Sequence, residues 1–241
     1  PVPANVFTGI TNYNTSVENV SFQRDASSGS SYVGLYLQDI RYSIFSKCFI
    51  TNCIEGADSA AVCFKTSNLA PYGNVPTGVY FDKFNITTDG ADYGAIFLPS
   101  GYTGGGGTGG VSMDPQGVWV TDCIIIGQHL TSLKFTATDQ DANELSIRNC
   151  SFYSKTSYTV YIEGMGNLRF DSNTVINGTN GLTNFEYNFN GSQNGFLFGS
   201  HIMGNGFFGQ GTNIAIGGTV TYGGATNMRV YVSYNGSGAC S

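Results

Sequence analysis

Two glutamates are the residues of this sequence best placed for catalysis. Glu163 and Glu186 stand 23 positions apart, each directly after an apolar residue in a short alternating segment. Two carboxyl groups roughly 5–5.5 Å apart hydrolyse a glycosidic bond with retention, and groups roughly 6.5–9.5 Å apart do so with inversion. The spacing therefore makes this pair the first candidate for general acid and base, or for acid and nucleophile.

The register between the two segments decides what faces the second glutamate. If Phe185 is level with Ile162, the two glutamates are neighbours on adjacent strands. If Phe185 is level with Val160, the second glutamate faces Tyr161 instead. Both registers are compatible with the sequence.

Further acids form two weaker sets. Asp139 and Asp141 lie in a connecting segment, with Lys134 nearby, and Asp89 and Asp92 lie on a short turn. For any one of these acids, a solvated or turn-bonding carboxylate is the competing interpretation. The catalytic candidates are Glu163, Glu186, Asp139 and Asp141.

Aromatic residues predict a surface for sugars. Alternation that points Val79 and Phe81 inward points Tyr80 outward, and the same pattern points Trp119 outward. The C–H faces of a sugar ring stack on such aromatic rings, whereas burial at a subunit interface is the competing explanation. Along the predicted stack the outward positions continue with Ser146, Arg169 and Leu197.

Two long connections, residues 65–78 and 99–117, predict a wall beside this surface. The second contains Tyr102 and a glycine-rich run that lacks the Gly-Lys-Ser/Thr ending of a phosphate loop. The candidate substrate contacts are Tyr80, Trp119, Tyr102, Lys134, Tyr161 and Arg169.

Metal and cofactor chemistry is not indicated. The two histidines, His129 and His201, have no nearby second nitrogen ligand, and no cysteine pair has CxxC spacing. We place His201 at an inward or corner position, as a packed side chain. Most of the six cysteines are expected to be reduced and buried. We therefore predict no metal and no cofactor.

A repeat of paired alternating segments must position all of these residues. The first segments are residues 33–37, 62–64, 96–98, 133–135, 160–162, 185–187 and 214–216. The second segments are residues 44–50, 79–86, 118–125, 145–152, 168–175 and 196–203. Equivalent positions in the second set, separated by intervals of 36, 39, 27, 23 and 28 residues, are Cys48, Phe84, Cys123, Cys150, Asn173 and His201. Such recurrence predicts an all-β solenoid in which parallel strands stack and equivalent side chains form columns.

Composition excludes several classes of partner. The 241 residues include only 11% charged side chains, and 10 basic residues against 16 acidic ones give a net charge of −6. No basic cluster is available to neutralise nucleic acid phosphates, and no apolar stretch approaches the roughly 20 residues that span a bilayer. We therefore predict no nucleic acid partner and no membrane insertion.

The pattern resembles the right-handed parallel β-helix of the pectate-lyase-like group, and within it the tailspike and tail-fibre proteins of bacteriophages. The Asn-Thr-Asp, paired Asp, Gly-His-Gly and Arg-Ile-Lys motifs of pectinases are missing from the sequence. The resemblance implies about seven rungs over residues 17–205, an entry segment over 1–16, and a cap or trimer-forming segment over 206–241. It also implies a homotrimer on the phage tail that recognises a bacterial surface polysaccharide, with cleavage of this polysaccharide as a further hypothesis. A secreted or purely binding module and a structural adhesin are the alternatives.

Overall fold

A computed structural model describes residues 5–10, 14–23, 33–38, 40–51, 56–65, 77–88, 91–97, 116–127, 131–136, 143–155, 158–163, 166–178, 183–188, 200–209, 211–217, 230–233 and 235–238. Within these residues the regular elements are all β strands, and no helix occurs. The absence of helices follows from the sequence, in which apolar residues recur with a period of two rather than 3.6.

The strands are short, and most are three to six residues long. In chain order they are β1 (Asn5–Ile10), β2 (Ser16–Glu18), β3 (Ser21–Gln23), β4 (Val33–Gln38), β5 (Ile44–Ser46), β6 (Phe49–Thr51), β7 (Gly56–Lys65), β8 (Thr77–Asp82), β9 (Asn85–Thr88), β10 (Ala91–Phe97), β11 (Gln116–Thr121), β12 (Ile124–Gly127), β13 (Thr131–Thr136), β14 (Asn143–Arg148), β15 (Ser151–Ser154), β16 (Val160–Glu163), β17 (Gly166–Asp171), β18 (Thr174–Asn177), β19 (Phe185–Asn188), β20 (Ser200–Met203), β21 (Gly206–Phe208), β22 (Ile214–Gly217), β23 (Val230–Ser233) and β24 (Gly236–Gly238).

Every third strand joins the same sheet. Sheet 1 has the order β1-β4-β7-β10-β13-β16-β19-β22, sheet 2 the order β2-β5-β8-β11-β14-β17-β20-β23, and sheet 3 the order β3-β6-β9-β12-β15-β18-β21-β24. All strand pairs are parallel, for example β14 with β17 and β16 with β19. The prediction of an all-β chain with stacked parallel strands is confirmed, and the topology is compatible with a parallel β-helix.

Five of the six predicted second segments contain a corner that divides them into two strands, whereas residues 196–199 of the sixth lie outside the described residues. The repeat therefore has three strands rather than two. The corner residue adopts a left-handed conformation, as at Lys47 (φ 53°) and Asp122 (φ 55°). The sequence carries the signal for this corner. Buried Phe45 and Cys48 stand three positions apart, whereas Cys48 and Ile50 stand two apart, and the extra position is the corner.

Inward side chains of the three sheets fill one apolar core. Phe170 of sheet 2 packs against Phe185 of sheet 1 and Phe152 of sheet 3, with ring centroids 4.4 Å and 6.2 Å away. Large side chains that are completely buried in this core contribute about 1.5–3 kcal/mol each to folding. The core therefore joins all three sheets and fixes the strands whose alternate side chains point outward.

A column of polar and sulfur-bearing side chains follows the corner between sheets 2 and 3. The Nδ2 atom of Asn173 donates to Oδ1 of Asn205 at 3.1 Å, and Nδ2 of Asn205 donates to Oδ1 of Asn235 at 3.0 Å. In the same column, Cys123 donates its backbone N–H to Sγ of Cys150 at 3.4 Å. These side chains satisfy backbone groups that the corner leaves without a strand partner.

The assignment of His201 to this column was wrong. Asn205, 32 residues after Asn173, occupies the corner position, while His201 lies on β20 level with Arg169. Its side chain is half-buried and points outward. The connection before β20 is longer than the repeat suggested, and a shift of four residues places a different residue at the corner.

The sheets extend past both ends of the predicted repeat, residues 17–205. At the N-terminal end, β1 belongs to sheet 1 and pairs with β4. At the C-terminal end, strands β21 to β24 lie beyond residue 205 and add one strand each to sheets 1 and 2 and two strands to sheet 3.

Candidate functional site

The outer face of sheet 2 carries one continuous column of side chains, which we call the sheet 2 column. Strand register makes each residue level with the next across the neighbouring strands. We use this name for six successive members, which follow Ser16 and Ile44 in the same register: Tyr80, Trp119, Ser146, Arg169, His201 and Tyr231. Neighbouring members are separated by roughly 4.8 Å along the stack.

Tyr80 and Trp119 form a stacked aromatic pair in this column. Their ring centroids are 4.4 Å apart and their planes differ by 8°. Tyr80 is 43% exposed, and Trp119 is half-buried. The prediction that these two residues point outward from neighbouring strands is confirmed. Because the rings stack along the column, each covers one face of the other and leaves its opposite face for a neighbour.

A glycine makes room for the indole ring. Gly117 has φ +70°, and a Cβ atom there would lie 2.6 Å from Cη2 of Trp119. Any larger residue would both strain the backbone and displace the ring. Gly117 therefore sets the position of Trp119.

The other end of the column differs from the prediction. Arg169 is exposed and follows Ser146 as expected, but the next member is His201, whereas Leu197 lies outside the described residues. The His201 ring stacks on Tyr231 with centroids 5.2 Å apart. Sequence reasoning missed Tyr231, although the alternating run 230–232 carries the same signal as the other strands.

The predicted catalytic glutamates lie on the outer face of sheet 1. Phe185 is level with Val160, so Glu186 is level with Tyr161, and Glu163 is level with Asn188. The register that makes the two glutamates direct neighbours is wrong. They are diagonal neighbours on one face, with Cα atoms roughly 8 Å apart for a displacement of one strand and two residues.

Tyrosines connect the two carboxylates. Burial raises the pKa of Tyr161, and the Glu163 carboxylate, which accepts a hydrogen bond from this phenol, raises it further. The charge of Glu186 raises the pKa of Tyr158, with burial and a hydrogen bond to the same carboxylate adding to the effect. The two phenol rings are 5.5 Å apart. The sequence pattern does not single out Tyr158, because this residue precedes its strand and follows no alternation.

A cation completes the sheet 1 cluster, which consists of Lys134, Tyr158, Tyr161, Glu163, Glu186 and Asn188. The Nζ atom of Lys134 lies 5.9 Å from the ring centroid of Tyr161, and the two residues are level on β13 and β16. The cluster therefore offers hydrogen-bond donors and acceptors of both charges on three neighbouring strands. Such a surface suits a ligand with many hydroxyl groups.

The structure divides the predicted site between two sheets. Tyr80, Trp119 and Arg169 belong to sheet 2, whereas Lys134, Tyr161 and the two glutamates belong to sheet 1. Asp139, Asp141 and Tyr102 lie outside the described residues. The two groups of residues therefore form two separate candidate surfaces.

Within the described part of the chain, no three His, Cys, Asp or Glu side chains come together as metal ligands. The search of those same residues also finds no helix that could cross a membrane. Comparisons with protein-family models, with curated proteins and with solved structures find no match to this chain. The described strands therefore form three parallel sheets that are compatible with a β-helix. The outer faces of sheets 1 and 2 carry the candidate functional residues.

Proposed function

We propose that this chain is the receptor-binding region of a bacteriophage tailspike or tail fibre, a right-handed parallel β-helix that binds a capsule or O-antigen polysaccharide. The observation that supports this proposal is the parallel pair that exposed Tyr80 and half-buried Trp119 form on a regular sheet face. Aromatic rings with a polar edge present flat apolar surface at little cost in side-chain entropy. Sugar rings, with apolar faces and polar rims, match this arrangement.

A binding experiment tests the proposal directly. Trp119 is the only tryptophan of the sequence, so tryptophan fluorescence reports on this surface alone. We expect purified host capsule or O-polysaccharide to change this emission in a saturable way, and Tyr80→Ala to weaken binding about tenfold or more. Ile216→Ala on sheet 1 is the matched control, since Ile216 is 40% exposed and lies on neither sheet 2 nor sheet 3. Equal affinities for the wild type and Tyr80→Ala would contradict the assignment of this surface.

The same proposal places the protein on the virion, acting at the bacterial surface as a homotrimer. The outer face of sheet 3 supports self-association, because neither outward row of its described residues contains a charged side chain. Ile124 and Phe208 on this face are 43% and 37% exposed. Depletion of charge and enrichment in large apolar residues are typical of homo-oligomer interfaces. Light scattering should give a trimer for the wild type and a monomer for Ile124→Glu.

Cleavage of the bound polysaccharide is the second candidate function. Glu163 and Glu186 share one face with Cα atoms roughly 8 Å apart, a separation at which their carboxyl groups can reach the roughly 6.5–9.5 Å of inverting enzymes. One carboxyl group would then act as general acid and the other as general base toward a water molecule. The paired tyrosines would help to hold both carboxylates in place.

Oligosaccharide release from the polysaccharide tests this activity. We expect Glu163→Gln and Glu186→Gln each to abolish release, and Glu144→Gln, at an exposed carboxylate outside the cluster, to leave it unchanged. Proton NMR of the first product should show inversion at the anomeric carbon. Release that neither substitution reduces would refute the catalytic assignment, and binding without release would leave the chain as a recognition module. A structural adhesin would bind no glycan.

A further inference from the structure

One small residue interrupts the sheet 2 column. The rings of Tyr80 and Trp119 precede Ser146, and the guanidinium of Arg169 and the ring of His201 follow it. All four flanking groups are planar, whereas Ser146 is small and, at 4% exposed, is covered by its surroundings. Trp119 and Arg169 belong to strands two spacings apart, roughly 10 Å. A ring-shaped ligand that displaces this cover and makes van der Waals contact with the indole, about 4 Å away, would lie above Ser146 and continue the stack.

The positive charge of Arg169 indicates what kind of ring the ligand carries. Arg169 is exposed and has no hydrogen-bond or ion-pair partner among the described residues. The other arginine on this part of the face, Arg148, has Nε 3.8 Å from Oδ2 of Asp171. Arg169 is therefore a positive charge on this face with no ion-pair partner among the described residues. No described residue bonds to the Arg169 side chain and holds it over Ser146, so this side chain can turn toward a ligand.

We propose that the Ser146 position is a subsite for a sugar residue that carries one carboxylate, such as a hexuronate or a sialate. The sugar ring stacks on the free face of Trp119, and the carboxylate accepts a forked pair of hydrogen bonds from Arg169. His201, next in the column, is placed to donate one further hydrogen bond. This inference rests on the proposed function and specifies the substrate class of the same surface.

The test uses the whole chain and polysaccharide fragments in matched pairs. Each fragment of a hexuronate- or sialate-containing polysaccharide is compared with its carboxyl-reduced, neutral form by titration of Trp119 fluorescence and by calorimetry. We expect the acidic form to bind about tenfold tighter or more, the strength of a charge-assisted hydrogen-bonded pair. Arg169→Gln should remove this difference. Lys83→Gln, which removes the same charge from an exposed corner, should preserve it.

A second variant tests the placement of the ring. Ser146→Phe fills the gap and should abolish binding of both forms, with folding checked by thermal melting. A folded Ser146→Phe variant that binds like the wild type would overturn the placement. Arg169→Gln gives an independent result, because an exposed side chain without a partner is not needed for folding.

The outcomes of these measurements distinguish failure of the acidic subsite from failure of the proposed polysaccharide binding. If the wild type binds acidic and reduced fragments equally and Arg169→Gln changes neither affinity, the acidic subsite is refuted and polysaccharide binding stands. Preference for a phosphorylated polysaccharide that carboxyl reduction does not affect would also refute it. If no fragment binds in either form, the proposed function and the inference both fail.

Discussion

Replacement of Gly117 by alanine tests the geometry of the candidate surface with a single methyl group. Gly117 has φ +70°, and its added Cβ would lie 2.6 Å from Cη2 and 3.0 Å from Cζ3 of Trp119. Contacts this short cannot persist, so the indole must move away from its position against Tyr80. The substitution therefore perturbs the aromatic pair without removing either ring.

Two contributions set the expected loss of stability. A left-handed conformation costs an alanine about 1–2 kcal/mol. The stacked pair, with centroids 4.4 Å apart, contributes about 0.5–1.5 kcal/mol. We expect Gly117→Ala to lower the free energy of unfolding by about 1.5–3.5 kcal/mol.

Gly204 provides the matched control. Its φ is +66°, but an added Cβ would meet Ser172 at distances of 3.6 Å and 3.9 Å, which are ordinary contacts. Gly204→Ala should therefore show the backbone cost alone, about 1–2 kcal/mol. The difference between the two variants isolates the displacement of Trp119.

Urea unfolding measures both free energies, and emission of the single tryptophan measures the displacement in the folded state. Gly117→Ala should shift the emission and weaken polysaccharide binding, whereas Gly204→Ala should change neither. Equal destabilisation by the two variants, together with unchanged emission, would refute the position assigned to the indole.

Three further predictions concern the core and its polar column. Asn205→Leu removes a side chain that makes four hydrogen bonds, so it should lower the free energy of unfolding by roughly 3–5 kcal/mol. Asn235 is half-buried, so Asn235→Leu should lower this free energy clearly less. Equal losses in urea titrations would contradict the role of burial. Burial raises the pKa of Tyr187 to about 12, so stability is complete below the unfolded-state pKa near 10 and should fall by roughly 3 kcal/mol as the pH rises from 10 to 12. The Tyr187→Phe variant should lack this loss of stability at alkaline pH. A stability profile that Tyr187→Phe leaves unchanged would contradict the assignment of the loss to this phenol. Burial raises the thiol pKa of Cys48 and of Cys150, so iodoacetamide should alkylate neither residue until the protein unfolds. Peptide mass spectrometry that finds either thiol labelled in the folded state would contradict this prediction.

Side-chain alternation predicted which residues point outward. Tyr80 was assigned outward because Val79 and Phe81 are apolar, and all three orientations agree with the structure. This inference is local, since a strand has a period of two and burial of one face determines the other. The same reasoning correctly placed Trp119 beside Tyr80, because the corresponding segments have the same pattern.

Register could not be predicted in the same way. Glu186 lies beside Tyr161 rather than Glu163 because Phe185 is level with Val160. Either alignment would bury the same apolar residues, since a shift of two positions preserves the face of every side chain. The path of the connection, not the apolar pattern, therefore decides between the two alignments.

The sequence by itself determined that this chain forms stacked parallel strands with apolar columns inside and specific aromatic and charged side chains outside. Those properties follow from periodicity, which each segment carries on its own. Only the tertiary structure decided that the aromatic pair and the glutamates lie on different sheets, and that His201 joins the outer column while Asn205 joins the corner. These are relations between segments separated by connections of variable length, and they depend on how each connection returns the chain to the stack.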